Sequence, residues 1–180
     1  MKRLVLANVF FGCLILLSSC EFSCSVGEKD KTPPVVKDEK SGVRVSNEIS
    51  IQPNGVKVEK AYLVFEDGTR VPDDNIVDFS KAVNLVMLID NGWKETDGKV
   101  KLGASEKIEV DSGEILLDEK DLFQSYADGI PAEDAKTLTL TARVKLKREI
   151  RPLTTFLVSF RIWDKNGSGF VQGQYKLYSK

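Results

Sequence analysis

The chain has 180 residues, 26 Lys and Arg against 27 Asp and Glu, 42% hydrophobic residues, three cysteines and no histidine. One domain is the expectation at this length, and a formal charge of −1 leaves no basic footprint for nucleic acid. Without histidine the commonest general base, the Ser-His and Cys-His nucleophile pairs and most zinc and non-haem iron sites drop out.

Lys2 and Arg3 are followed by an apolar run from Leu4 to Leu17, interrupted at Asn8 and Gly12. This is the layout of a signal peptide, and at 14 residues the run is shorter than the roughly 20 needed to cross a bilayer core. The run ends in Leu17-Ser18-Ser19-Cys20: an aliphatic residue, two small residues and a cysteine. Here the sequence resembles the bacterial lipoproteins at the lipobox of their signal peptide. The resemblance covers about the first 20 residues. It implies cleavage before Cys20, a diacylglyceryl thioether on its sulfur and an acyl chain such as palmitate on its new amino group. Two or three acyl chains, each methylene contributing about 0.8 kcal/mol, make a durable anchor where one chain would be marginal. Glu21 stands where an aspartate would resemble an inner-membrane retention signal, so the expected place is the outer membrane, facing the periplasm. Surface display is the competing assignment, although the acidic residues near the anchor are not clustered directly behind Cys20.

Removal of Lys2 and Arg3 leaves 24 basic and 27 acidic side chains, a net charge of −3. Such a chain has no electrostatic hold on anionic lipid, so its membrane partner would be reached through the acyl chains alone. Cys13 falls in the leader, Cys24 lies four residues beyond Cys20, and no cysteine follows, which rules out a disulfide within residues 25–180.

Residues 20–41 read as the lipidated N-terminus and a linker rich in Ser, Gly, Lys, Asp and Glu, with Pro33-Pro34; residues 42–180 read as the folded domain. Val43, Val45, Ile49 and Ile51 alternate with an interruption at Asn47, and the pattern resumes after Pro53-Asn54-Gly55 at Val56, Val58, Tyr62 and Val64. That predicts a strand, a turn and a strand. Ala82 to Ile89 is a continuous apolar run with the β-branched content of a central strand. Residues 99–102, 107–110 and 114–117 read as short strands divided by Gly103 and Asp111-Ser112-Gly113. Asp118, as an N-cap ahead of Leu122, Phe123 and Tyr126 with Gly129 as a stop, predicts one short helix, and Pro131 to Lys136 a single helical turn. Leu138 to Leu146 alternates strictly, Phe156 to Ile162 follows, and Phe170 to Tyr178 is last. With no long helical pattern there are no parallel crossovers, and the fold expected is all-β: an antiparallel β-sandwich, immunoglobulin-like or transthyretin-like, of roughly seven to nine strands.

Asp164-Lys165-Asn166-Gly167-Ser168-Gly169 matches the first half of a calcium loop, with side-chain oxygens from Asp164, Asn166 and Ser168 and a glycine for the turn. Tyr175 stands where the closing glutamate belongs, and a hairpin between two strands asks for the same residues. Trp93, Trp163, Tyr62, Tyr126, Tyr175 and Tyr178 could form a sugar platform or a protein hot spot. Arg143, Lys145, Lys147, Arg148 and Arg151 make a basic stripe that reads as a solvated face. Carboxylates are plentiful, yet none lies in a recognisable catalytic motif. The reading is a non-enzymatic, lipid-anchored envelope protein that binds or assembles with an envelope protein partner, as an accessory subunit of a larger machine. The competing reading is a calcium- or glycan-binding surface lipoprotein.

Overall fold

The computed structural model describes residues 36–37, 41–144 and 150–180, which fall within one compact unit, Thr32–Lys180. The leader, Cys20, Cys24 and the stretch holding Lys145, Lys147 and Arg148 lie outside the described residues. In chain order the strands are β1 (Val36–Lys37), β2 (Arg44–Val45), β3 (Ser50–Asn54), β4 (Lys57–Phe65), β5 (Ile76–Val77), β6 (Val83–Asn91) and β7 (Glu95–Thr96). They continue with β8 (Lys99–Val100), β9 (Leu102–Val110), β10 (Ile115–Glu119), β11 (Ile130–Pro131), β12 (Thr137–Ala142), β13 (Thr155–Asp164) and β14 (Phe170–Ser179). One sheet runs β1-β2-β4-β6-β12, the other β10-β9-β13-β14-β3 with β5 alongside β14, and β11-β8-β7 form a small third sheet. Pairing is antiparallel except for β2 with β4 and β5 with β14.

The period-2 pattern produces this arrangement. In β12, Leu138, Leu140 and Ala142 are buried while Thr137, Thr139 and Thr141 are exposed, and β6, between β4 and β12, buries Val83, Leu85, Val86, Met87 and Ile89. The inner faces of both large sheets join one hydrophobic cluster: Leu63, Leu85 and Leu140 from the first, Ile51, Ile108 and Phe156 from the second. Each such side chain contributes about 1.5–3 kcal/mol on burial. The described residues form an all-β sandwich, antiparallel apart from those two short pairings.

The stretch Val43 to Ile51 serves both sheets. β2 belongs to the first and β3 to the second, and the chain passes between them through Asn47 (φ 59°) and Glu48 (φ 53°), both left-handed. It returns to the first sheet through Gly55 (φ 67°), where a positive φ costs glycine nothing. Gly103 does not end a strand as expected: β9 runs through it, because its missing Cβ makes room for the indole of Trp163 on β13. Val36 and Lys37, in the stretch read as linker, pair with Val45 and Arg44.

The short helix expected after Asp118 does not form. Residues 122–129 make successive turns instead, with Tyr126 N–H donating to Phe123 O (2.9 Å) and Gly129 N–H to Tyr126 O (2.9 Å). The cause is tertiary: Leu122 N–H donates to Ala104 O at 2.6 Å, and the Asp121 carboxylate accepts from the N–H groups of Ala104 and Phe123, binding this segment to β9. The single turn expected before Lys136 is present as a 3₁₀ turn, Asp134–Lys136. No helix among the described residues is long and apolar enough to cross a membrane.

Candidate functional site

The hairpin joining β13 to β14 holds the hexapeptide beginning at Asp164. Asp164 is buried, its Oδ1 accepts from Asn166 N–H at 2.8 Å, its Oδ2 accepts from Lys94 N–H at 2.6 Å, and its own N–H donates to Gly169 O at 2.9 Å. The carboxylate therefore serves as the staple of an Asx turn and ties the hairpin to the loop before β7. Asn166 and Ser168 are exposed. Lys165 reaches back to Asp121 at 2.6 Å. Burial opposes ionisation of Asp121, but the Lys165 ammonium and the two N–H donors outweigh it and hold this carboxyl below the usual range. Among the described residues, no three acidic, cysteine or histidine side chains gather to hold a metal ion.

The six aromatic candidates do not converge. Tyr175 is fully buried, Trp93 packs against the core with its Nε1 buried and unpartnered, and Tyr126 is exposed beside Phe123, ring centres 5.8 Å apart. Tyr62 lies on the first sheet under the guanidinium of Arg70, 4.7 Å from its ring centre. Trp163 and Tyr178 share the outward face of the second sheet. Of the basic stripe, Arg143 is bound to Glu66 at 2.6 Å and Arg151 is exposed. A cleft of about 540 Å³ lies beside Arg143, over Phe79, Val144 and Ile150.

The outward face of β3, β14 and β13 carries a feature that the sequence reading did not isolate. Gln52, Gln172 and Arg161 stand side by side in one cross-strand row, and Ser50, Gln174 and Ser159 in the next. The amide Nε2 of Gln172 donates to Oε1 of Gln52 at 3.3 Å, and together the two rows line a shallow depression of about 370 Å³. The Arg161 guanidinium rests 4.5 Å from the ring centre of Phe170, and among the described residues no carboxylate is paired with it. At the end of the face the partly exposed indole of Trp163 covers Gly103. The signal for these residues is strand parity. Once Val171, Tyr175 and Leu177 are assigned inward, Phe170, Gln172 and Gln174 must point outward.

Glu106 is the other group the sequence reading missed. It is 1% exposed on the inner face of β9, opposite Phe160 of β13, and neither carboxylate oxygen has a hydrogen-bond partner. Burial pushes its carboxyl up to about 7. The buried Tyr175 hydroxyl is also unpartnered, and burial, with the nearby Glu106 charge, raises it well above its ordinary value. Parity counted back from Ile108 would have placed Glu106 in the core. Dividing the strand at Gly103 and starting it anew at Lys107 hid it. No protein-family model matches the chain, and no curated protein is significantly similar to it.

Proposed function

We propose that this chain is a bacterial envelope lipoprotein. It is anchored through acyl chains on Cys20 in the outer membrane, faces the periplasm and acts as a non-enzymatic binding or assembly module. The observation that carries the reading is the tetrad Leu17-Ser18-Ser19-Cys20 directly behind a positively charged start and a short apolar run. The folded unit supports the binding role by what it offers: a sandwich whose outward sheet face holds a guanidinium, without a carboxylate partner among the described residues, amid neutral amides and hydroxyls. The partner in this reading is an envelope protein, with the domain as an accessory subunit.

Metabolic labelling with palmitate tests the anchor. Label is expected on the native chain and absent from Cys20→Ser, which should accumulate as an unprocessed precursor or leave the membrane fraction. A Cys20→Ser chain that stays in the membrane at mature size would exclude lipidation at this residue. In-cell crosslinking of the native form, with Cys20→Ser as control, tests for a stoichiometric envelope partner.

A further inference from the structure

We infer that the outward face of β3, β14 and β13 binds an acidic polysaccharide, with Arg161 taking a sugar carboxylate and the amides beside it taking ring hydroxyls. The inference rests on the binding-module reading and goes beyond it by giving this face a ligand of its own, separate from the envelope protein partner.

Charge selects an anion. The outward positions of these three strands carry Arg161 and Lys176 and no carboxylate, although acidic residues outnumber basic ones in the whole chain. Neither cation has an ion-pair partner among the described residues. Arg161 is also held in place, since its guanidinium lies on the Phe170 ring and keeps its donor fork available for the bidentate geometry that a carboxylate accepts.

The neutral side chains select a sugar. Ser50, Gln52, Ser159, Gln172 and Gln174 each both donate and accept, as the hydroxyls of a pyranose do. Neighbouring strands are about 4.8 Å apart, so Arg161, Gln172 and Gln52 form a straight row about 10 Å long, suited to an extended chain of rings. The partly exposed indole of Trp163 bounds the face with an apolar surface of the kind a sugar ring packs on. A protein partner fits less well, because a protein hot spot is an apolar, desolvated centre. The exposed large hydrophobic side chains among the described residues, Val36, Ile115, Leu122, Tyr126 and Leu153, all lie elsewhere, and Leu157, Trp163, Phe170 and Tyr178 on this face are half-buried.

The test is calorimetric titration of the full chain in detergent with oligomers of galacturonate, alginate and hyaluronate, beside neutral dextran and polyaspartate. Binding to at least one uronate polymer is expected. Arg161→Gln should weaken it about tenfold or more, the worth of one charge-assisted hydrogen bond, without lowering the melting temperature. Gln172→Ala should weaken it too, while Lys136→Gln, at a cation on the 3₁₀ turn, should not. Failure of every uronate polymer to bind overturns the inference, as does dextran binding equally well, since the carboxylate would then be irrelevant. Equal, Arg161-dependent binding of polyaspartate would reassign the face to acidic peptides. The titration reads ligand contact alone, so its outcome is separable from palmitate labelling at Cys20.

Discussion

Asn47 and Asn75 clasp each other across 28 residues of sequence: Asn47 Nδ2 donates to Asn75 Oδ1 at 2.9 Å, and Asn75 Nδ2 donates to Asn47 O at 2.9 Å. Asn47 Nδ2 also reaches Pro72 O at 3.0 Å and Val71 O at 3.2 Å, while its Oδ1 accepts from Leu63 N–H at 3.4 Å. Both residues are buried and both have positive φ, 59° and 56°. Asparagine suits both demands, since it tolerates the left-handed region and carries a donor and an acceptor at once.

Asn47→Ala should therefore destabilise by about 2–4 kcal/mol, combining lost hydrogen bonds, orphaned buried carbonyls and a strained φ. Asn75→Ala should cost a similar amount. Because each removes the other's partner, the double variant should lose clearly less than the sum. Urea denaturation of the four proteins measures this, and strict additivity would show that the two amides act independently.

Glu106 gives stability a defined pH dependence. In the unfolded chain its carboxyl ionises near 4.5, in the fold near 7, so between these values the unfolded state binds fewer protons and stability falls as pH rises. The penalty is absent below 4.5 and complete above 7, at about 3 kcal/mol. Glu106→Met, similar in volume and without a charge to desolvate, should be more stable than the native chain at pH 8 and nearly equal to it at pH 4. A parallel pair of melting curves across this range would contradict the assignment.

Asp164 should matter to folding with or without calcium. Asp164→Ala strands the N–H groups of Lys94 and Asn166, a loss of about 2–3 kcal/mol. Asp164→Asn keeps an acceptor and should lose less. Thermal melts in chelator and in millimolar calcium should give the same order and the same spacing. A calcium-dependent rise in the native melting temperature that Asp164→Ala abolishes would instead establish a metal loop.

Gly103→Ala should displace Trp163, since a Cβ there would overlap the indole Cε2 and Cζ2 atoms. In a Trp93→Phe background, which leaves Trp163 as the one tryptophan, the emission spectrum should shift. The cost should exceed 1 kcal/mol, as for other overpacked contacts. An unchanged spectrum would mean that the indole does not rest on this glycine.

Alternation made the sandwich legible, because Leu138 to Ala142 and Phe156 to Ile162 leave no other way to bury one face. What it could not convey was which sheet a strand joins. Nothing between Val45 and Ser50 announces a change of sheet except Asn47, where the periodicity breaks. The expected helix failed for a related reason: Asp118 and Asp121 carry the local signature of a helix start, but Asp121 spends its carboxylate on Ala104, 17 residues earlier, and on Lys165, 44 residues later. The outward Gln and Ser rows acquire meaning through cross-strand register, which is absent from any one segment. Arg161 next to Gln172 and Gln52 is a property of three strands together.

The chain's excursion into the second sheet between β2 and β4 has a kinetic consequence. Strands of the two large sheets interleave along the chain: β3 joins the second sheet between β2 and β4 of the first, and β5, β9 and β10 of the second fall between β4 and β12 of the first. No contiguous fragment holds either large sheet without strands that belong to the other. Pairing within each sheet is therefore largely non-local, and a slow folding rate is expected.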